Sequence, residues 1–150
     1  MMTPRQIESA LARAQRVCTA RGARLTTVRR RVFELILQRE QPTGAYALLA
    51  ELQHERGQLG PPTVYRALEF LLAHKLIHKI ETSSAFIACG DIEHPHESQF
   101  MICEDCGATE EIRDAAIVES LRRLGGLKGV RLRRARRGRH GYVEGVGVGG

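Results

Sequence analysis

With 150 residues, 43% of them hydrophobic, the chain has room for one ordinary domain or two small ones that would each be marginal alone. No apolar run approaches the roughly 20 residues of a membrane-spanning helix, and Met1 to Arg16 lacks the apolar core of a secretory signal, so a cytoplasmic protein with no membrane partner is expected. The net charge of +6 is segregated: 13 Lys/Arg against 7 Asp/Glu in residues 1–84, 3 against 9 in 85–125 and 7 against 1 in 126–150, a basic front suited to a polyanion and an acidic middle suited to a divalent cation.

Thr3-Pro4-Arg5-Gln6 reads as a helix start, with Thr3 as N-cap, Pro4 at the first position and Gln6 completing a capping box. Ile7, Leu11, Ala14 and Cys18 then share one face, and Gly22 ends the helix; Cys18 on that stripe reads as a small core residue. A second helix follows Thr26 or Thr27 with Val28, Val32, Leu35 and Ile36 inward, and a third runs from about Ala45 to His54 on Leu48, Leu49 and Leu52. Gly57 to Pro62 reads as a linker. The fourth helix is expected to start at Thr63 and to bury Val64, Ala67, Leu68, Leu71 and Leu72, leaving Tyr65, Arg66 and Glu69 outside. Leu76 to Glu81 and Ala85 to Cys89 form a hairpin around Thr82-Ser83-Ser84. Helices, a helix-turn-helix pair and a terminal hairpin make a winged helix.

Gly90 to Ser98 is polar and reads as a hinge. Beyond it, Gln99 to Cys103 and Ala108 to Ile112 are two strands joined at Glu104-Asp105-Cys106-Gly107. A helix from about Asp114 to Leu124 is expected to bury Ile117, Val118, Leu121 and Leu124, with a strand near Val130 to Arg134 after it. The expected fold class is α+β: residues 1–89 a winged-helix (helix-turn-helix) DNA-binding domain, 90–98 the hinge, and 99–150 an α/β, metal-binding domain whose tail, about 140–150, is disordered.

The second helix of a helix-turn-helix enters the major groove. Here it presents Thr63, Tyr65, Arg66 and Glu69. Arg66 can pair bidentately with guanine and Tyr65 can pack on a thymine methyl or bond a phosphate. Arg24, Arg29, Arg30 and Arg31 would neutralise phosphates and set register.

The four cysteines, Cys18, Cys89, Cys103 and Cys106, are too few and too unevenly spaced for a disulfide scaffold. Cys89, His94, His96, Cys103, Cys106 and Glu111 fall within 23 residues, and His78 lies on the wing strand before them. Mixed sulfur, nitrogen and oxygen donors suit Zn²⁺ and not the oxygen-seeking Mg²⁺ or Ca²⁺. Both His94 and His96 are available to such a site.

Pro61-Pro62-Thr63-Val64-Tyr65-Arg66-Ala67-Leu68-Glu69-Phe70-Leu71 resembles the recognition-helix signature of the ferric uptake regulator superfamily, and Arg24-Leu25-Thr26 resembles its earlier R-L-T segment. The likeness runs over most of residues 5–125 and is greatest to the zinc uptake regulator branch. It implies a winged-helix domain followed by an α/β dimerisation domain, residues 99–150, in a homodimer that binds palindromic double-stranded DNA operators, represses zinc uptake and homeostasis genes when zinc is plentiful, and takes no small-molecule substrate. It also implies a regulatory zinc site of His78, Cys89, His96 and Glu111, with His94 as the neighbouring alternative to His96, and a structural site that includes Cys103 and Cys106. The chain departs from the branch at that second site: His140-Gly141 is present, but Val143 and Val146 stand where a second cysteine pair is expected, after six arginines between Arg131 and Arg139.

An iron- or peroxide-responsive regulator is the alternative within the superfamily, and the Cys89 thiolate argues against it. A metalloenzyme would need an open metal position beside a general base, and the sequence carries no nucleophile motif, phosphate-cradling loop or paired acid and base. A winged-helix module that ignores metals would bind DNA equally well with Ser at position 89.

Overall fold

Residues 1–94, 98–123 and 141–146 are described in the computed structural model of the protein. Thr3 begins helix α1 (Pro4–Ala20) by the expected capping box: its hydroxyl accepts the Gln6 N–H at 3.3 Å while Gln6 Oε1 accepts the Thr3 N–H at 2.7 Å. Ile7, Ala10, Leu11, Ala14 and Cys18 are buried on one face. The helix closes by a Schellman arrangement around Gly22, at φ 69°, where the Ala23 N–H reaches the Cys18 carbonyl at 2.8 Å.

Helix α2 (Thr27–Leu37) is capped by the Thr26 hydroxyl and buries Val32, Phe33, Leu35, Ile36 and Leu37. Strand β1 (Thr43–Gly44) leads directly into helix α3 (Ala45–Arg56), which buries Leu48, Leu49 and Leu52 and stops at Gly57, φ 77°. Helix α4 spans Pro61–Ala73, so the fourth helix begins two residues before the expected Thr63. Both prolines occupy its first turn, where no intrahelical N–H is needed and the fixed φ already suits a helix.

Helix α4 ends in a second Schellman arrangement, with the Leu76 N–H on the Leu71 carbonyl at 2.9 Å and the Lys75 N–H on the Leu72 carbonyl at 3.0 Å. Lys75 holds the left-handed position, φ 57°, that glycine takes without steric cost. Lys75→Gly is therefore expected to raise unfolding stability by about 0.5–1 kcal/mol, read as a higher urea midpoint at unchanged slope. A lower midpoint would mean that the lysine side chain contributes more than its backbone costs.

Strands β2 (Ile77–Ile80) and β3 (Ala85–Ala88) form the expected hairpin, antiparallel, with His78 opposite Ile87. The sequence gives no sign of a third strand, yet β1 pairs with β3, Thr43 opposite Phe86, and the sheet order is β1-β3-β2. Two residues are too few to show an alternating pattern, which is why β1 is invisible in sequence. The helices and this sheet share one apolar core that includes Leu11, Phe33, Leu48, Leu52, Leu68, Leu71 and Leu76.

The chain divides into two compact units, Met1–Pro95 and His96–Gly150. In the second, β4 (Ser98–Cys103), β5 (Thr109–Ile112) and β6 (Gly141–Val146) form an antiparallel sheet in the order β5-β4-β6, and α5 (Ala115–Arg123) follows β5 with Asp114 Oδ1 accepting the Ala116 and Ile117 N–H groups. Ser98, Phe100 and Ile102 of β4 are buried. Two expectations are corrected. Residues 141–146 of the supposedly disordered tail form β6, because the exposed edge of β4 offers a full row of backbone partners. Ile117 is 47% exposed and not buried, since one short helix beside a three-stranded sheet has little apolar surface of its own chain to cover it. The expected strand near Val130 to Arg134 and the helix end at Leu124 lie outside the described residues.

Candidate metal centre and nucleic-acid interface

Hairpin register brings the first two candidate ligands together. His78 faces Ile87 across the β2–β3 pair, and the ladder continues with the Cys89 N–H on the Leu76 carbonyl at 2.9 Å. Residues two apart on one strand share a face, so Cys89 is the diagonal neighbour of His78. A ring nitrogen of His78 and the Cys89 sulfur lie within 4.8 Å of one another, with the residues 7% and 9% exposed. An imidazole and a thiol brought together in a nearly dry place are a soft, mixed donor pair of the kind Zn²⁺ prefers.

Glu111 belongs to the second unit, on β5 opposite Phe100. The Ser98 hydroxyl donates to its Oε1 at 3.0 Å, and Arg113 Nη2 stands 3.7 Å from Oε2. The buried Ser98 thereby orients the carboxylate, as an outer partner orients a metal ligand. His96 lies outside the described residues. His94 is highly exposed, and its Nδ1 meets the Asp91 carboxylate at 3.0 and 3.1 Å, in a turn where Asp91 Oδ1 also accepts the Glu93 and His94 N–H groups. One ring nitrogen of His94 is thus already engaged.

Cys103 ends β4 and Cys106 sits in the following turn, which Gly107 closes at φ 71° by donating to the Cys103 carbonyl at 2.9 Å. The N–H groups of Cys106 and Asp105 point at the Cys103 sulfur, and with the Cys106 thiol they hold the Cys103 thiol below its ordinary range. Across the ladder Cys103 is paired with Gly141, while Val143 is opposite Met101 and Val146 opposite Ser98. Valine supplies no donor. The residues present therefore do not fit a four-cysteine structural zinc site.

On α4, Tyr65, Arg66 and Glu69 are exposed and Thr63 is half-buried, while Val64, Ala67, Leu68 and Leu71 hold the helix to the core. Arg66 and Arg24 are exposed, and neither makes an ion pair among the described residues. The other arginines expected at the DNA, Arg29, Arg30 and Arg31, are engaged inside the unit. Arg30 pairs with Glu8 at 3.1 Å, and Arg31 pairs with Glu34 at 2.7 Å and with Glu55. Arg29 donates to the Arg24 carbonyl at 2.7 Å and lies 3.8 Å above the Phe70 ring. Arg29 therefore pins the segment carrying Arg24 to the inner side of α4.

Tyr46, 80% exposed in the first turn of α3, escaped the sequence reading. Its signal is an aromatic ring off the Leu48-Leu49-Leu52 stripe at the start of the first helix of the pair, the element that crosses the DNA backbone in this motif.

Residues 20–136 match the model of the ferric uptake regulator family. The zinc uptake regulation proteins of Escherichia coli (strain K12) and Shigella flexneri are each 35% identical to the chain over 139 residues, covering 92% of it and 78% of theirs. A solved zinc uptake regulator complexed with zinc and DNA matches with a TM-score of 0.73 at 34% identity, over 82% of this chain and 81% of that one. A crystal structure of holo XcZur matches with a TM-score of 0.68 at 38% identity, over 77% and 81%.

Proposed function

Because the chain belongs to the ferric uptake regulator family, we propose that it is a zinc-responsive DNA-binding repressor of zinc uptake and homeostasis genes. The observation that carries this reading is the buried His78–Cys89 pair on the wing of a helix-turn-helix domain. His78, Cys89, His96 and Glu111 are the residues that would hold Zn²⁺, and the ion would supply a cross-link among them.

Four protein donors leave no position for a substrate or an activated water, so the metal is regulatory and the protein is not an enzyme. The thiolate favours zinc over the iron and peroxide sensors of the same family. Helix α4 reads the major groove through Arg66, Tyr65 and Thr63, with Arg24 and Tyr46 on the backbone. Arg30 contributes to DNA only if Glu8 releases it.

The protein works as a homodimer on a palindromic operator, in the cytoplasm; no helix among the described residues is long and apolar enough to cross a membrane. Met101 and Ile117, both about half exposed on the second unit, are apolar surface that a second copy would cover.

Zinc content per chain, measured together with operator binding with and without zinc, tests this function. One zinc per chain and zinc-dependent binding are expected, since Val143 and Val146 leave the second site without its donors. DNA affinity indifferent to zinc would overturn the reading.

A further inference from the structure

Two arginines flanking the stretch that joins α1 to α2 hold on to helix α4. Arg21, at the end of α1, donates from Nη1 to the His74 carbonyl at the end of α4. Arg29, in the first turn of α2, places its guanidinium 3.8 Å from the centre of the Phe70 ring of α4, and that ring in turn meets the His74 ring at 4.4 Å. Arg24 lies between these two ties. The Arg29 guanidinium also donates to the Arg24 carbonyl at 2.7 Å, and the Arg29 N–H reaches the Thr26 hydroxyl at 3.4 Å. One side chain therefore grips both the backbone of Arg24 and the helix that carries Arg66. A guanidinium is planar, so stacking on a ring uses one of its faces and fixes the direction of its fork. Phosphate contacts set the register of a protein on the duplex, and base contacts read sequence only when that register is right.

We propose that Arg29 is a positioning residue for DNA binding: bonded to the Arg24 backbone and stacked on Phe70, it sets the offset between the phosphate contact of Arg24 and the base-reading face of α4, and does not itself neutralise a phosphate. This role presupposes the DNA-binding reading above, and it takes Arg29 out of the phosphate contacts expected from sequence.

The test measures the affinity of the zinc-loaded full chain, as a function of salt, for a palindromic duplex that the unmodified protein selects from a randomised library. Arg24→Ala removes one phosphate contact in each half-site, so binding should weaken and the slope of log affinity on log salt should become shallower by about one unit per half-site. Arg29→Ala should reproduce both changes, with a loss of about 5-fold or more, and should add less than about 2-fold when Arg24 is already alanine, because one contact cannot be lost twice. Phe70→Leu, which removes the ring and leaves every charge in place, should weaken binding in the same direction and again add little to Arg24→Ala. Losses that multiply in the Arg24→Ala, Arg29→Ala double variant, with the slope shallower by a further unit per half-site, would make Arg29 a phosphate contact in its own right and overturn the proposal. Unchanged affinity and slope in Arg29→Ala or in Phe70→Leu, whatever the thermal midpoint, would leave Arg29 a packing residue only and overturn it equally. If Arg29→Ala does not fold, Phe70→Leu decides by the same cycle. If the unmodified chain selects no duplex at all, the DNA-binding reading falls first and the positioning role with it.

Discussion

Cys89→Ser is expected to abolish zinc control of DNA binding while leaving the winged-helix unit folded. Cys89 sits at the end of β3, and its N–H bond to the Leu76 carbonyl is a backbone contact that serine keeps. What is lost is one of two buried donors that lie side by side. Loss of even an outer-shell partner weakens metal binding by about 10–100-fold, so loss of a thiolate ligand is expected to cost at least about 100-fold.

The consequence for DNA follows by linkage. With zinc at about 100 times its dissociation constant, a conformer that alone binds it gains about 2.7 kcal/mol per site. Two sites in a homodimer give about 5.4 kcal/mol, close to the roughly 5.5 kcal/mol that turns a 1:99 population into 99:1. After a 100-fold loss of affinity the same zinc concentration gives about 0.4 kcal/mol per site, and the switch shrinks from about 10⁴-fold to about 4-fold. Operator binding by fluorescence anisotropy, with zinc buffered at a fixed level, reads this directly. A variant that still responds to zinc by a factor of thousands would remove Cys89 from the site.

Arg66→Ala is expected to have the second largest effect, on specificity more than on total affinity. Arg66 stands outside the core stripe of α4 and has no ion-pair partner within the described residues, so its guanidinium is available without breaking anything inside the protein. A bidentate arginine–guanine contact discriminates by about 1–3 kcal/mol, here once in each half-site of the operator. Operator affinity should fall toward that for a scrambled duplex, with binding to the scrambled duplex changing little.

An equal loss on both duplexes, with a salt dependence shallower by about one unit per half-site, would instead make Arg66 a phosphate contact. Arg31→Ala is the matched control. That side chain is about three-quarters buried and tied to Glu34 and Glu55, which raise its pKa, so its removal should show in thermal stability, by about 1 kcal/mol or less for a partly exposed pair, and not in operator choice.

Helical stripes and caps made most of the first unit legible in sequence. The Thr3 capping box, the Ile7-Leu11-Ala14-Cys18 face and the exposed position of Tyr65 and Arg66 all follow from period and chemistry that act within a few residues. What escaped depends on distant partners or on short segments. β1 becomes a strand only because β3 lies beside it, and β6 because β4 presents an open edge. The pairing of Arg30 with Glu8, 22 residues away, cannot be told from the solvated arginine that the same residues suggest. The early start of α4 was legible in principle, because a proline pair followed by an apolar stripe fits a first turn as well as a linker.

In the candidate site, His78 and Cys89 are named through the family resemblance, and the register of the β2–β3 hairpin supplies the reason they lie together. The role of His94 was harder to read, because the Asp91 turn that occupies its ring is a local feature without a periodic signal.

Leu76 gives the first unit a further property. Its N–H is bonded to the Leu71 carbonyl at the end of α4, and its carbonyl accepts the Cys89 N–H, so a single buried residue fastens α4 to the end of the wing that carries Cys89. Helix and ligand behave as parts of one lever with no joint between them. A change at the Cys89 end of the wing would therefore reach α4 through backbone hydrogen bonds alone, without any rearrangement inside the first unit.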